Sequence, residues 1–166
     1  FDNALRGGRF GSVCGMAHNT GIDACTSAAN IKFGGDYGIA GGIVGSFGLN
    51  STVSNCSFTG SMTLCDNKAS ETCMYGGIAG IISPSTKWAA DYVGYAHVSN
   101  CYNSGNLFFE VTSLSKNTHW AGILGGAPWI PYVAPTESMP YPYLIENSYN
   151  LSAGPDRIST KSVYAG

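Results

Sequence analysis

Apolar residues along this chain come in short runs broken by glycine and asparagine, and no window keeps the 3.6-residue spacing of an amphipathic helix. The runs are rich in Val, Ile, Thr, Tyr and Phe, which predicts short strands joined by tight turns. Two signatures recur in a fixed order. The first is a glycine-rich apolar segment at Gly41-Gly42-Ile43-Val44-Gly45, Gly76-Gly77-Ile78-Ala79-Gly80 and Ala121-Gly122-Ile123-Leu124-Gly125. The second follows after a variable gap, at Val53-Ser54-Asn55-Cys56-Ser57-Phe58, Val98-Ser99-Asn100-Cys101-Tyr102-Asn103 and Ile145-Glu146-Asn147-Ser148-Tyr149-Asn150. A degenerate pair, Gly11-Ser12-Val13-Cys14-Gly15 and then Ile22-Asp23-Ala24-Cys25-Thr26, precedes them. Four ordered copies mark a repeat architecture.

Gly45 recurs 35 residues on at Gly80 and again 45 residues on at Gly125. Such uneven spacing fits a constant coil with insertions of different length at its corners. Without the segment from Cys65 to Cys73 the second unit keeps roughly 25 residues, the scale of one solenoid turn. Each coil is expected to hold three strands: the Gly-Ile segment, the Val-x-Asn-Cys segment, and a run after the next glycine (Ser61 to Leu64, Asn106 to Val111). The fold class expected is therefore all-β, a right-handed parallel β-solenoid (β-helix) of about four coils with long corner insertions. Its handedness follows from the preference of parallel crossovers. A single domain spans 1–166, with units at 10–37, 38–74, 75–119 and 120–161, as part of a longer chain or assembly.

Spacing inside the second signature predicts where the coil turns. Val53 and Cys56, like Val98 and Cys101, stand three apart, whereas inward residues of one straight strand stand an even number apart. A bend at Ser-Asn would turn both inward, and asparagine tolerates the left-handed backbone that such a bend uses. Stacking then predicts a corner ladder of Asn55, Asn100 and Asn147. Beside it runs an interior ladder of Cys25, Cys56, Cys101 and Ser148.

Composition narrows the function classes. The chain has 23 glycines and only 11% charged residues, with a net charge of −2. Its eight Lys and Arg are scattered and form no basic stripe, so nucleic acid is not an expected partner. No apolar run approaches the roughly 18 residues of a membrane-spanning helix. The chain opens at Phe1 with neither an initiator Met nor a signal segment, and it is read as a mature or excised piece.

The pattern Gly-Gly-Ile-x-Gly, followed by Ile/Val-x-Asn-Cys-Tyr-Asn-x-Gly, resembles the GLUG-type repeats of large bacterial surface and secreted proteins. These include adhesin-like proteins and noncatalytic parts of immunoglobulin A metallopeptidases. The resemblance covers about residues 38–150 and is best at Gly76–Gly80 with Asn100–Gly105. It implies a β-solenoid and an extracellular or cell-surface setting, and it brings no catalytic site.

The remaining candidates are weighed on their chemistry. Gly38 to Gly45 is glycine-rich, but no helix start and acidic residue follow it as a dinucleotide loop requires, so no cofactor is expected. Cys65 and Cys73 flank a polar insertion, and a disulfide closing it is expected in an oxidising compartment. Cys14 is expected in the core, with pairing to Cys25 as the alternative. No Cys or His spacing suits zinc, so no metal is expected. His18, His97 and His119 stand alone. The acidic residues form no carboxylate row. Asp23 and Glu146 align but fall about three rungs apart, some 14 Å, beyond a glycosidase pair.

Two insertions gather aromatic residues: Trp88, Tyr92 and Tyr95 in one, and Trp129, Tyr132, Tyr141 and Tyr143 in the other. The first expectation is that these loops fold back to cover one side or an open edge of the solenoid. The other is that some aromatics stay exposed, since low charge and many aromatics suit protein or glycan contacts. Asn50 and Asn150 match the glycosylation acceptor pattern, as does Asn55, with Asn50 expected on a loop and Asn55 at a packed corner. The expected function is an extracellular structural or adhesive module without enzymatic activity. The alternatives are a fragment of a carbohydrate-active β-helix enzyme and a filament subunit that associates end to end.

Overall fold

The computed structural model describes residues 8–33, 38–48, 50–65, 73–82, 95–110, 118–126, 143–152 and 164–165. The described residues are strands, bends and short connections, with no helix. The first coil comprises β1 (Gly8–Gly11), β2 (Cys14–His18), β3 (Gly21–Asp23), β4 (Thr26–Ser27) and β5 (Asn30–Phe33). The second holds β6 (Gly38–Gly41), β7 (Val44–Gly48), β8 (Ser51–Ser54), β9 (Ser57–Phe58) and β10 (Ser61–Cys65). The third holds β11 (Cys73–Gly76), β12 (Ala79–Ile82), β13 (Ala96–Ser99), β14 (Tyr102–Asn103) and β15 (Asn106–Glu110). The fourth holds β16 (Thr118–Ala121), β17 (Leu124–Gly126), β18 (Tyr143–Glu146) and β19 (Tyr149–Asn150), and β20 (Tyr164–Ala165) pairs onto β16 beyond it.

Strands of successive coils pair in parallel and build five sheets, ordered β1-β6-β11-β16-β20, β2-β7-β12-β17, β3-β8-β13-β18, β4-β9-β14-β19 and β5-β10-β15. The chain is a parallel β-solenoid of about four coils. Each of the first three coils is built from five short strands where the sequence suggested three, and the fourth shows four among the described residues. The least interrupted coil advances 30 to 31 residues, against the roughly 25 expected, because these additional strands and their corners belong to the constant part.

The largest departure from the sequence reading is the Gly-Gly-Ile segment, which is a corner and not a strand. β6 ends at Gly41 and β7 begins at Val44, with Gly42 and Ile43 bent between them; Gly77-Ile78 and Gly122-Ile123 do the same. At this corner the backbones of the first and second sheets come together. A Cβ on Gly45 would lie 2.6 Å from the Phe10 nitrogen, and one on Gly125 would lie 2.5 Å from the Tyr75 carbonyl carbon. At the apex, a Cβ on Gly42 would strike the Phe58 ring, and on Gly77 or Gly122 it would strike Asn103 or Asn150. The glycines are thus required by close approach of other backbone and side chains.

Alternation divides the strands between two faces. The main core holds Ala40, Ile43, Val44, Phe47, Val53, Cys56, Phe58, Tyr75, Ile78, Val98 and Cys101, all almost wholly buried. Phe33 stacks on Tyr75 with ring centres 4.8 Å apart. Ile39 and Met74 of the first sheet and Ile81 of the second form a separate buried cluster. Ser46, fully buried, lies in register with Ile81, and its Oγ has no hydrogen-bond partner among the described residues.

Between the described strands of successive coils, the long insertions leave at two corners. Residues 66–72 and 111–117 connect the fifth sheet to the first, and residues 83–94 and 127–142 connect the second sheet to the third. Pairing register is the same on both sides of each insertion, with Val53 opposite Val98 and Val98 opposite Ile145.

Candidate functional site

The corner between the third and fourth sheets carries the repeat's most regular side-chain columns. Ala24, Asn55, Asn100 and Asn147 all adopt left-handed backbone, with φ of 52°, 52°, 52° and 47°. That single residue turns the chain between β8 and β9 and between their counterparts. It also aims each backbone N–H at the next coil: Ala24 donates to the Ser54 carbonyl, Asn55 to Ser99 and Asn100 to Glu146, at 3.1–3.2 Å. Asp23, fully exposed, accepts hydrogen bonds from Ser54 Oγ at 2.7 Å and Asn55 Nδ2 at 2.8 Å. The Ser54 bond first, then that of Asn55, holds the Asp23 carboxyl below the usual carboxylate range.

Immediately after the turn, Cys25, Cys56, Cys101 and Ser148 stack one per coil. Cys56 and Cys101 are 1% and 0% exposed, while Cys25 and Ser148, in the outer coils, are half-buried. Each side chain donates to the carbonyl two residues before it. The distances are 3.3 Å for Cys25 to Asp23, 3.0 Å for Cys56 to Ser54, 3.3 Å for Cys101 to Ser99 and 2.9 Å for Ser148 to Glu146. Backbone bonds tie the column together: Ser57 N to Cys25 O, Tyr102 N to Cys56 O and Tyr149 N to Cys101 O, at 2.9–3.0 Å. Cys101 N also donates to Ser148 Oγ at 3.1 Å. A hydrogen bond between the Cys56 and Cys101 sulfurs pushes the Cys56 thiol up, reinforced by burial, and draws Cys101 down against the opposing effect of burial. Burial, followed by Cys56 itself, raises the Cys25 thiol.

A second polar column, missed from sequence, lines the apex of the glycine corner. Ser27, Phe58, Asn103 and Asn150 lie in register. Buried Asn103 donates through Nδ2 to the Gly122 carbonyl at 2.9 Å and to Asn150 Oδ1 at 2.7 Å, and its Oδ1 accepts from Gly105 N–H at 3.0 Å. Asn150 Oδ1 also accepts from Ser152 N–H and Oγ. The signal was present in the repeated Tyr-Asn of the second signature, but its partners lie on other coils. Another asparagine corner, also missed, joins Asn19 and Asn50, both left-handed, through a 3.4 Å hydrogen bond that Asn50 Nδ2 donates to Asn19 Oδ1.

The other expected residues are placed as follows. Tyr95 is half-buried, its ring 5.1 Å from His97. Tyr143, assigned to a corner loop from sequence, begins β18 and packs against the main core, because its position stacks on Ala96 of β13. Burial raises its hydroxyl pKa. Trp88, Tyr92, Trp129, Tyr132 and Tyr141 lie outside the described residues. No disulfide joins any of the described cysteines. Cys73, expected to bridge to Cys65, is instead buried on β11, where it hydrogen-bonds the Tyr75 hydroxyl; the Cys65 side chain lies outside the described residues. Cys14 is half-buried against the core and donates to the Met16 carbonyl at 3.0 Å. Asn50 is exposed, though its Oδ1 accepts from Tyr95 N–H at 3.3 Å, and Asn150 is exposed on β19. Asp23 and Glu146 share one outward column with Ser54 and Ser99 between them.

Among the described residues, no three His, Cys, Asp or Glu side chains gather as a metal-binding group, and no helix is long and apolar enough to cross a membrane. No family model, curated protein or solved structure matches this chain.

Proposed function

We propose that this chain is a structural or adhesive module of an extracellular or surface protein, its coils displaying corner insertions that contact protein or glycan. One observation carries the reading. The five sheets keep their register across the coils, while nearly all length variation leaves at two corners. A scaffold of that kind holds variable segments at fixed spacing, and two of these segments, 83–94 and 127–142, bring Trp88, Tyr92, Trp129, Tyr132 and Tyr141 from one corner of successive coils. The likeness of the repeat signature to GLUG-type surface repeats supports the same setting.

The test is binding to glycan and protein arrays by the intact chain and by Trp88→Ala and Trp129→Ala variants. The expected result is retention of a ligand without cleavage, weakened in at least one variant. Release of reducing ends from a polysaccharide would favour the carbohydrate-active enzyme reading instead.

A second reading, a filament subunit that stacks through its ends, also has a specific observation behind it. Val13 and Ile145 are each 46% exposed in the outer coils, whereas their counterparts Ile43, Ile78, Val53 and Val98 are 0% exposed. Apolar side chains, and strand edges left unpaired among the described residues, together invite a further coil. Light scattering over a concentration series tests it. Growth of linear species supports stacking, and a constant monomer mass at every concentration refutes it.

A further inference from the structure

We propose that Cys25 and Cys56 form a thiol pair that a small disulfide compound oxidises to an inter-coil disulfide, clamping the first coil to the second. The pair is held face to face by the solenoid. Ile22 and Asp23 pair with Val53 and Ser54 on one side, and Thr26 and Ser27 pair with Ser57 and Phe58 on the other. The intervening turns match, since Ala24 and Asn55 share the same left-handed φ. Ser57 N–H bonds the Cys25 carbonyl at 2.9 Å, and Ala24 N–H bonds that of Ser54 at 3.1 Å, so both thiol-bearing residues are anchored one rung apart. Adjacent rungs lie about 4.8 Å apart, inside the roughly 4.4–6.8 Å between Cα atoms that a disulfide spans. One position further on, Thr26 Oγ1 and Ser57 Oγ already meet at 2.9 Å across the same two coils.

Exposure assigns the order of events. Cys25 is half-buried and open to a reagent, whereas Cys56 is 1% exposed. The Cys25 thiolate attacks one sulfur of oxidised glutathione, forms a mixed disulfide and releases one glutathione. Cys56, stacked directly on Cys25, then attacks the Cys25 sulfur. Its proton passes to the departing thiolate, and the second glutathione leaves. Two protein thiols are oxidised and one small disulfide is reduced, with no other reactant. Cys101 lies two rungs from Cys25, about 9.6 Å, too far to replace Cys56.

The experiment incubates the intact protein with oxidised glutathione at pH 8.5 and maps disulfides by nonreducing peptide mass spectrometry. The expected product is a Cys25–Cys56 linked peptide with loss of two hydrogens, restored to thiols by dithiothreitol. Cys101→Ser should bridge as the wild type does. Cys56→Ser should stop at a glutathione adduct on Cys25, which shows that Cys25 is reactive even where no bridge forms. Amides of β3 and β4 should exchange about tenfold more slowly after oxidation, since the clamp opposes opening of the first coil. A bridge in Cys56→Ser involving Cys25, or unmodified Cys25 and Cys56 in wild type after oxidation, overturns the proposal. Circular dichroism under reducing conditions confirms that each variant is folded before these outcomes are scored.

Discussion

Ala24 is the one member of the corner column that lacks an amide side chain, and replacing it should stabilise the first coil. Its φ of 52° equals that of Asn55 and Asn100, so the backbone is already committed to the left-handed turn. A Cβ in that region costs roughly 1–2 kcal/mol for an ordinary residue, and asparagine recovers part of this by local hydrogen bonding. Ala24→Asn should therefore gain about 0.5–1 kcal/mol. Ala24→Gly removes all of that strain but adds unfolded-state freedom worth roughly 0.5–1 kcal/mol, so its net gain should be of similar size. At this chain length 1 kcal/mol moves Tm by about 2–4 °C. Because coils of a solenoid can open separately, hydrogen exchange at Ala24 to Ser27 should accompany the thermal scan. Both variants should protect these amides better than the native Ala. A first coil in Ala24→Asn that exchanges as fast as the native one, or faster, would refute the argument that backbone conformation selects asparagine at this corner.

Cys101→Asp should abolish the folded stack, because Cys101 is wholly buried and an unpaired charge there is strongly disfavoured, while Ser148→Asp on the outer coil should be tolerated; circular dichroism melting distinguishes the two. Gly77→Ala should cost about 1–3 kcal/mol or more in urea unfolding, since its Cβ would overlap the Gly122 carbonyl and the Asn103 amide. Burial, then the Arg9 charge, lowers the His18 pKa below 6.5, so the fold favours neutral imidazole. That contribution is complete above pH 6.5 and fades as pH falls through the folded-state value. Acidification from about pH 7.5 to 5.5 should lower the protection factors of the β2 amides, once the slower intrinsic exchange at low pH is divided out, and His18→Gln should flatten the dependence.

The columns of this protein were legible in its sequence because parallel stacking converts a repeat along the chain into a row in space. Ile22, Val53, Val98 and Ile145 pair in register, and Cys25, Cys56, Cys101 and Ser148 stack beside them, for that reason alone. The odd spacing of Val53 and Cys56 likewise located the turn at Asn55. Tertiary structure decided what depends on residues far along the chain. Gly42, Gly77 and Gly122 make a corner because Phe58, Asn103 and Asn150 occupy the space a side chain would need, and no local pattern reveals that. Asn103 reads as a polar strand residue, yet it is buried because Gly122 and Asn150, in the next coil, supply its partners. Cys73 reads as the flank of a polar loop, yet the pairing of β11 with β6 and β16 turns it into the core beside Tyr75. Repetition along the chain specifies which residues stack; how closely two sheets approach across a coil is settled only when the coil is closed.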